Sequence, residues 1–220
     1  MKKIIILNCG PRKDFNTAQM LKSTAKGAES VGAEVEYFDL YDFNFKGCVS
    51  CLNCKRKGAV TNGLCAFRDE ITPLLEKCLN ADAIIFGSPI YLAYPTGEFK
   101  CFIERLIFPC ITYLKDENTG FLKRVLDKNI PIGIVYTMNL PEDMAKVSNY
   151  PAVMNTIQSF FELAFGYCES LFAYDTAQFN DYSKYDCELF DPNHKMEMKE
   201  KQFPKDLEKA FDMGKRLAIM

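Results

Sequence analysis

Short runs of unbroken apolar residues alternate along this chain with stretches whose apolar residues recur at three- and four-residue steps. Ile4-Ile5-Ile6-Leu7 is apolar at every position and predicts a strand buried on both faces. A helical pattern follows over 16–31, with Gly32 as its stop. A second strand is expected at 35–40. Asp69 stands where it could cap a helix running through Leu74, Leu75 and Leu79. The pattern then predicts a third strand at 83–87, a helix at 98–107, a fourth strand at 130–136, a helix at 152–165 and a weaker fifth strand at 171–174. Residues 178–202 are polar and aromatic without a period, which reads as an irregular surface arm. Leu207, Ala210, Phe211, Gly214, Leu217 and Ala218 make a stripe that predicts a closing helix docked on the sheet.

Strands apolar on both faces, alternating with helices, define an α/β chain with a parallel, doubly wound sheet. Such sheets bind ligands outside the carboxyl ends of their strands, near the point where strand order reverses. Three loops fall there, at 9–17, 88–97 and 137–139. The first, Asn8-Cys9-Gly10-Pro11-Arg12-Lys13-Asp14-Phe15-Asn16-Thr17-Ala18, is polar and opens a helix, so backbone N–H groups and the helix dipole favour an anion. Arg12, Asn16 and Thr17 add donors suited to phosphate oxygens. The second, Ser88-Pro89-Ile90-Tyr91-Leu92-Ala93-Tyr94-Pro95-Thr96-Gly97, is apolar and aromatic, a wall suited to a flat ring.

Other phosphate motifs fail on the first loop. A dinucleotide fingerprint needs three spaced glycines and a Walker loop needs Gly-Lys-Ser or Gly-Lys-Thr; neither is present. A cysteine phosphatase loop starting at Cys9 would need an arginine where Phe15 stands, and a receiver domain would need an acidic residue where Ser88-Pro89 closes the third strand.

Composition narrows the picture further. A chain of 220 residues with 48% hydrophobic content can bury a core and is not a disordered sequence. A net charge of -2 makes no case for nucleic acid or an anionic membrane. No apolar stretch approaches the ~18 residues of a membrane span. The apolar run near Met1 is too short for a signal peptide, so a cytoplasmic chain is expected. Ten cysteines in that compartment read as reduced, metal-bound or redox-active thiols. Cys78, Cys101, Cys110, Cys168 and Cys187 read as free core thiols. The one histidine, His194, reads as a solvated surface residue, and its isolation argues for cofactor chemistry over Ser-His-Asp hydrolysis.

Cys48, Cys51, Cys54 and Cys65 form a separate signal. Cys-x-x-Cys-x-x-Cys can wrap a [4Fe–4S] cluster with a fourth thiolate from a returning loop, and Gly58 and Gly63 would let the chain return. Zinc fits less well, because Cys65 has no Cys-x-x-Cys partner. Free thiols are the remaining reading.

Asn8-Cys9-Gly10-Pro11-Arg12-Lys13 with Asn16-Thr17-Ala18 resembles the phosphate loop of flavodoxin-like NAD(P)H-dependent FMN reductases. Ser88-Pro89-Ile90-Tyr91 followed by Phe99-Lys100-Cys101-Phe102-Ile103-Glu104-Arg105 resembles a second motif of that family. Gly47-Cys48, Cys51, Cys54 and Gly63 to Cys65 resemble its iron–sulfur flavoprotein branch. The resemblance implies a flavodoxin-like five-stranded parallel sheet of order 2-1-3-4-5. It implies an FMN-binding domain over 1–177, with a cysteine-rich insertion at 44–68, an arm at 178–203 and a helix at 204–220.

FMN would meet Cys9, Pro11, Arg12, Asn16, Thr17 and Ala18 at the phosphate loop, Pro89, Ile90, Tyr91 and Leu92 at the ring loop, and Thr137 and Met138 on the third loop. Cys9 stands where the family usually has serine, and the ten residues between Cys54 and Cys65 exceed the branch's usual final gap. The implied activity is electron transfer from NAD(P)H or a reduced carrier to a small acceptor such as a quinone or flavin. The alternative is an iron–sulfur flavoprotein relaying electrons between proteins, with a ferredoxin-type donor. The apolar segment 102–111 and the aromatic tail suggest a homodimer or homotetramer.

Overall fold

The computed structural model describes residues 1–59, 61–117 and 119–220; Val60, which falls within the 44–68 insertion, and Asn118 lie outside the described residues. Five parallel strands carry the fold: β1 (Lys3–Asn8), β2 (Glu34–Asp39), β3 (Ala83–Tyr91), β7 (Ile132–Thr137) and β8 (Cys168–Ala173). Between β3 and β7 lie a two-residue strand β4 (Tyr94–Pro95) and an antiparallel hairpin of β5 (Ile111–Lys115) and β6 (Leu122–Arg124). The parallel order is β2-β1-β3-β7-β8, the doubly wound order expected. Ile6 pairs with Ile85 and Phe86 with Ile134, so the unbroken apolar runs occupy the sheet centre. β7 is buried at every position, while the edge strands β2 and β8 keep Glu34, Glu36 and Glu169.

Helices cover both faces. α1 (Asn16–Glu29) packs on one face with α7 (Phe203–Ile219), and their buried residues join Ile4, Ile6, Ile85 and Val135. α2 (Thr72–Asn80), α3 (Gly97–Ile107) and α5 (Tyr150–Phe165) cover the other face, where Phe86, Phe99, Phe102 and Phe161 meet around Ile84, Ile132 and Ile134. A short α4 (Glu142–Val147) follows β7, and α6 (Pro192–Lys201) precedes α7.

Four expectations are corrected. Residues 88–91 are strand, because Ser88 and Pro89 continue the ladder with Tyr136 and Thr137 and the chain turns back at β4. Asp69 does not cap α2; Ile71 holds the cap position, and the Asp69 carboxylate pairs with Arg105 at 2.5 Å. The arm is not irregular throughout, since Asp191 caps α6 by accepting the Asn193 N–H, with Pro192 in the first turn. That helix is polar nearly all round, so it carries no apolar period to betray it. His194 is not simply solvated: its Nε2 lies 2.6 Å from Asp175 Oδ2.

Candidate functional site

The carboxyl ends of β1, β3 and β7 open into one cavity of about 490 Å³. Pro11, Arg12, Asn16, Thr17, Pro89, Ile90, Tyr91, Thr137 and Met138 line it. Loops far apart in sequence are tied together here by side chains. Thr17 Oγ1 and Thr137 Oγ1 share a hydrogen bond of 2.7 Å, and Asn16 Nδ2 donates to Ala177 O at 2.7 Å. Arg12 Nη1 donates to Gln178 O at 2.8 Å, and its guanidinium lies 3.6 Å over the Phe15 ring. Partial burial pulls the Arg12 pKa below its usual range, against the opposing pull of Tyr91 and Asp14. No side chain caps α1, so its first-turn N–H groups stand at the cavity without a capping partner. Thr96 joins the two main loops: its Oγ1 donates to Cys9 O at 2.6 Å and accepts from Phe99 N–H as the cap of α3.

Three expected residues do not present their side chains. Cys9 is fully buried in the core, its Sγ donates to Leu7 O, and burial holds its thiol well above the usual range. Ala18 is buried among the residues between α1 and the sheet. Leu92 is 97% exposed at the tip of the β3–β4 turn, where Leu92 and Ala93 both have positive φ, as a tight two-residue hairpin requires.

Gly10, Phe15 and Asn139 lie within the loops singled out from the sequence, and Gln178, Phe179 and Tyr185 within its aromatic arm; Thr176 and Ala177 were missed. The available signal for those two was positional: they follow β8, which neighbours β7, so their segment emerges at the same edge. Phe179 and Tyr185 stack at 4.0 Å and form the outer rim.

Cys48, Cys51, Cys54 and Cys65 line a separate small cavity with Glu104 and Arg105 of α3. Gly58 and Gly63 both take positive φ on the returning segment. Lys55 donates to Phe108 O and Ile111 O, fastening the segment to the end of α3. Among the described residues, no three His, Cys, Asp or Glu side chains are grouped so that they could hold a metal ion.

All ten cysteines are free. Burial pushes the Cys110 thiol up to about 12 and raises those of Cys9, Cys78 and Cys168 as well. A brief iodoacetamide pulse on cofactor-free protein at neutral pH is therefore expected to modify the exposed Cys48 and Cys51. Peptide mass mapping should find those four buried thiols labelled only after unfolding.

A third cavity of about 660 Å³ lies between α3 and α5, lined by Phe99, Ile103, Ile107, Phe108, Ile111, Val153, Ile157 and Phe160. The apolar segment 102–111 is thus divided: Phe102, Leu106 and Cys110 fill the core, while Ile103, Ile107, Phe108 and Ile111 face this groove. No helix among the described residues is long and apolar enough to cross a membrane.

A doubly wound parallel sheet of order β2-β1-β3-β7-β8 with a cavity at its switch point defines a flavodoxin-like fold. The model of the NADPH-dependent FMN reductase family matches residues 2–127, and the chain belongs to that family. An iron–sulfur flavoprotein of Clostridioides difficile is 33% identical, over 56% of this chain and 57% of that protein. One from Archaeoglobus fulgidus is 35% identical, over 47% of this chain and 48% of its own length. The chain thus spans about half the length of the curated relatives it matches. Among solved structures, an NAD(P)H:quinone oxidoreductase from Methanothermobacter marburgensis shares the fold, with a TM-score of 0.71 at 15% identity over 98% of each chain. An FMN-dependent NADH-azoreductase from Bacillus anthracis does so at 0.65, with 13% identity over 99% of this chain and 100% of that one.

Proposed function

We propose that this chain is an FMN-dependent oxidoreductase that passes electrons from NAD(P)H or a reduced carrier to a small acceptor such as a quinone or flavin. The carrying observation is the cavity at the sheet's carboxyl edge, polar at Arg12 to Thr17 and apolar along Pro89, Ile90 and Tyr91. Its volume falls in the usual range for a cofactor site. When bound, FMN supplies the hydride and single-electron chemistry. Arg12 and the first-turn amides of α1 hold its phosphate. Ile90, Tyr91 and Met138 bury the ring, while Phe179 and Tyr185 of the arm 178–203 limit access from solvent. Cys9 supports the loop from the core, its N–H bonded to Gly87 O and its carbonyl accepting from Thr96, and does not meet the cofactor.

The four cysteines would hold a [4Fe–4S] cluster. The donor set fits: four thiols line one cavity beside the cations of Lys55 and Arg105. The same convergence, with relatives named iron–sulfur flavoproteins, favours a second reading as a carrier relaying electrons between proteins, with a ferredoxin-type donor. Ten free thiols suit a cytoplasmic setting. The groove between α3 and α5 suits assembly into a homodimer or homotetramer.

An anaerobic visible spectrum of fresh protein, with iron and acid-labile sulfide assays, tests this reading. A flavin spectrum with about four irons per chain is expected. A colourless protein that takes up no added FMN would overturn it. Arg12→Ala should raise the FMN Kd about tenfold, as loss of a charge-assisted contact worth roughly 1.5 kcal/mol requires, measured by quenching of flavin fluorescence.

A further inference from the structure

Arg105 is 1% exposed, among the most deeply buried side chains of the molecule, and it projects from α3 into the wall of the cysteine cavity. Two of its three nitrogens are engaged. Nη1 donates to Asp69 Oδ2 at 2.5 Å and Lys46 O at 3.2 Å, and Nη2 donates to Phe67 O at 2.7 Å. Lys46 precedes Cys48 and Phe67 follows Cys65, so one guanidinium clasps both ends of the cysteine segment. The third nitrogen, Nε, is buried without a hydrogen-bond partner. An orphaned buried donor is costly, so its retention here calls for a partner.

That partner is at hand. Cys65 lines the same small cavity as Arg105, two residues before the Phe67 carbonyl that Nη2 already holds. A neutral thiol is a weak acceptor and a ligating thiolate a far better one. Glu104, on the same wall, does not take this role: its oxygens accept from Lys100 at 2.8 Å and from the Cys48 N–H at 3.0 Å, and neither bonds to Arg105 Nε.

We propose that Arg105 is a positioning residue for the cysteine centre: it clasps the segment through Lys46, Phe67 and Asp69, and its Nε–H donates to the Cys65 sulfur when that sulfur ligates iron. The inference rests on the cluster reading above. A hydrogen bond to a ligating sulfur stabilises the reduced, more negative state and so raises the reduction potential. Arg105→Lys keeps the charge but loses the fork and the Nε–H. Asp69→Asn weakens the clasp and keeps the Nε–H.

The test uses full-length protein reconstituted anaerobically with ferrous iron and sulfide, followed by potentiometry and by timed iron loss to a chelator. Both variants are expected to lose iron at least tenfold faster than the parent. Only Arg105→Lys should shift the midpoint potential to more negative values; Asp69→Asn should keep the parent potential. A parent-like potential in Arg105→Lys would overturn the proposal. A parent that binds FMN but takes up no iron would overturn it together with the cluster reading, and the flavin spectrum separates that failure from the first. Should Arg105→Lys fail to fold, pulsed EPR of the reduced parent, labelled with ¹⁵N-arginine, gives an independent answer. A nitrogen coupling to the cluster supports the hydrogen bond, and its absence overturns it.

Discussion

Gly214→Ala is expected to destabilise the protein by about 3 kcal/mol, toward the upper end of what overpacking a close contact costs. α1 and α7 cross at a glycine on each helix. A Cβ at Gly214 would lie 1.9 Å from Thr24 O, and one at Gly27 would lie 1.9 Å from Phe211 O. Both obstacles are backbone atoms, so relief requires the helices to separate, and Ser23 Oγ would then lose its 2.6 Å bond to Leu207 O. Gly27→Ala should match it, and the double variant should cost less than the sum because the first substitution already parts the helices. Urea unfolding followed by far-UV circular dichroism measures the loss. Gly97→Ala is the control: a Cβ there meets nothing within 4 Å, and its stability should stay within about 0.5 kcal/mol of the parent.

Lys195→Met carries an expected loss of about 3–5 kcal/mol, the range for removing one partner of a buried ion pair. Lys195 is 1% exposed on α6 and donates to Asp175 Oδ1 and to Asn139 O. Asp175 sits on the segment after β8, Asn139 on the segment after β7, and both adjoin residues that line the candidate cofactor cavity. Its ammonium also lies 4.6 Å over the Phe190 ring, so one side chain pins the arm to the sheet's carboxyl edge. With methionine there, the Asp175 carboxylate is left in a buried site with only the half-exposed His194 beside it. Adding Asp175→Asn should recover a large part of the loss, because the residual cost is an unpaired charge and not a lost contact. Urea midpoints of the single and double variants measure that recovery. Amide exchange in α6 should rise sharply in the single variant, and FMN affinity should fall with it, since Thr176, Ala177 and Gln178 lose their anchor.

Legibility followed the reach of the interactions. β1 and the centre of β3 were plain because their residues are buried on both faces and so are apolar without interruption. β8 was read late and short because Cys168-Glu169-Ser170 lies on an edge strand, where one side need not be apolar. The hairpin of β5 and β6 went unread, since its exposed faces carry Tyr113, Leu114 and Phe121 without a clean alternation. α6 had a legible start in Asp191-Pro192 but no apolar stripe, because it is held by Lys195 and not by a hydrophobic face.

At the site, the loops themselves were readable from residue chemistry, while the direction of each side chain was not. Arg12 and Asn16 look identical in sequence whether they point at a phosphate or at the carbonyls of Gln178 and Ala177. Cys9 looked like a pocket residue, yet strand alternation turns its thiol into the core.

The sequence alone determined the alternation of strands and helices, the parallel sheet, the two cofactor-type loops and the cysteine spacing, because each depends on neighbours within a few positions. Tertiary structure alone decided that four cysteines line one cavity, that Arg105 clasps their segment with one N–H to spare, and that the arm returns over the cavity through Lys195 and Asp175. The clasp joins residues 36 to 59 positions apart and the arm's anchors residues 20 to 56 apart, which no local pattern records.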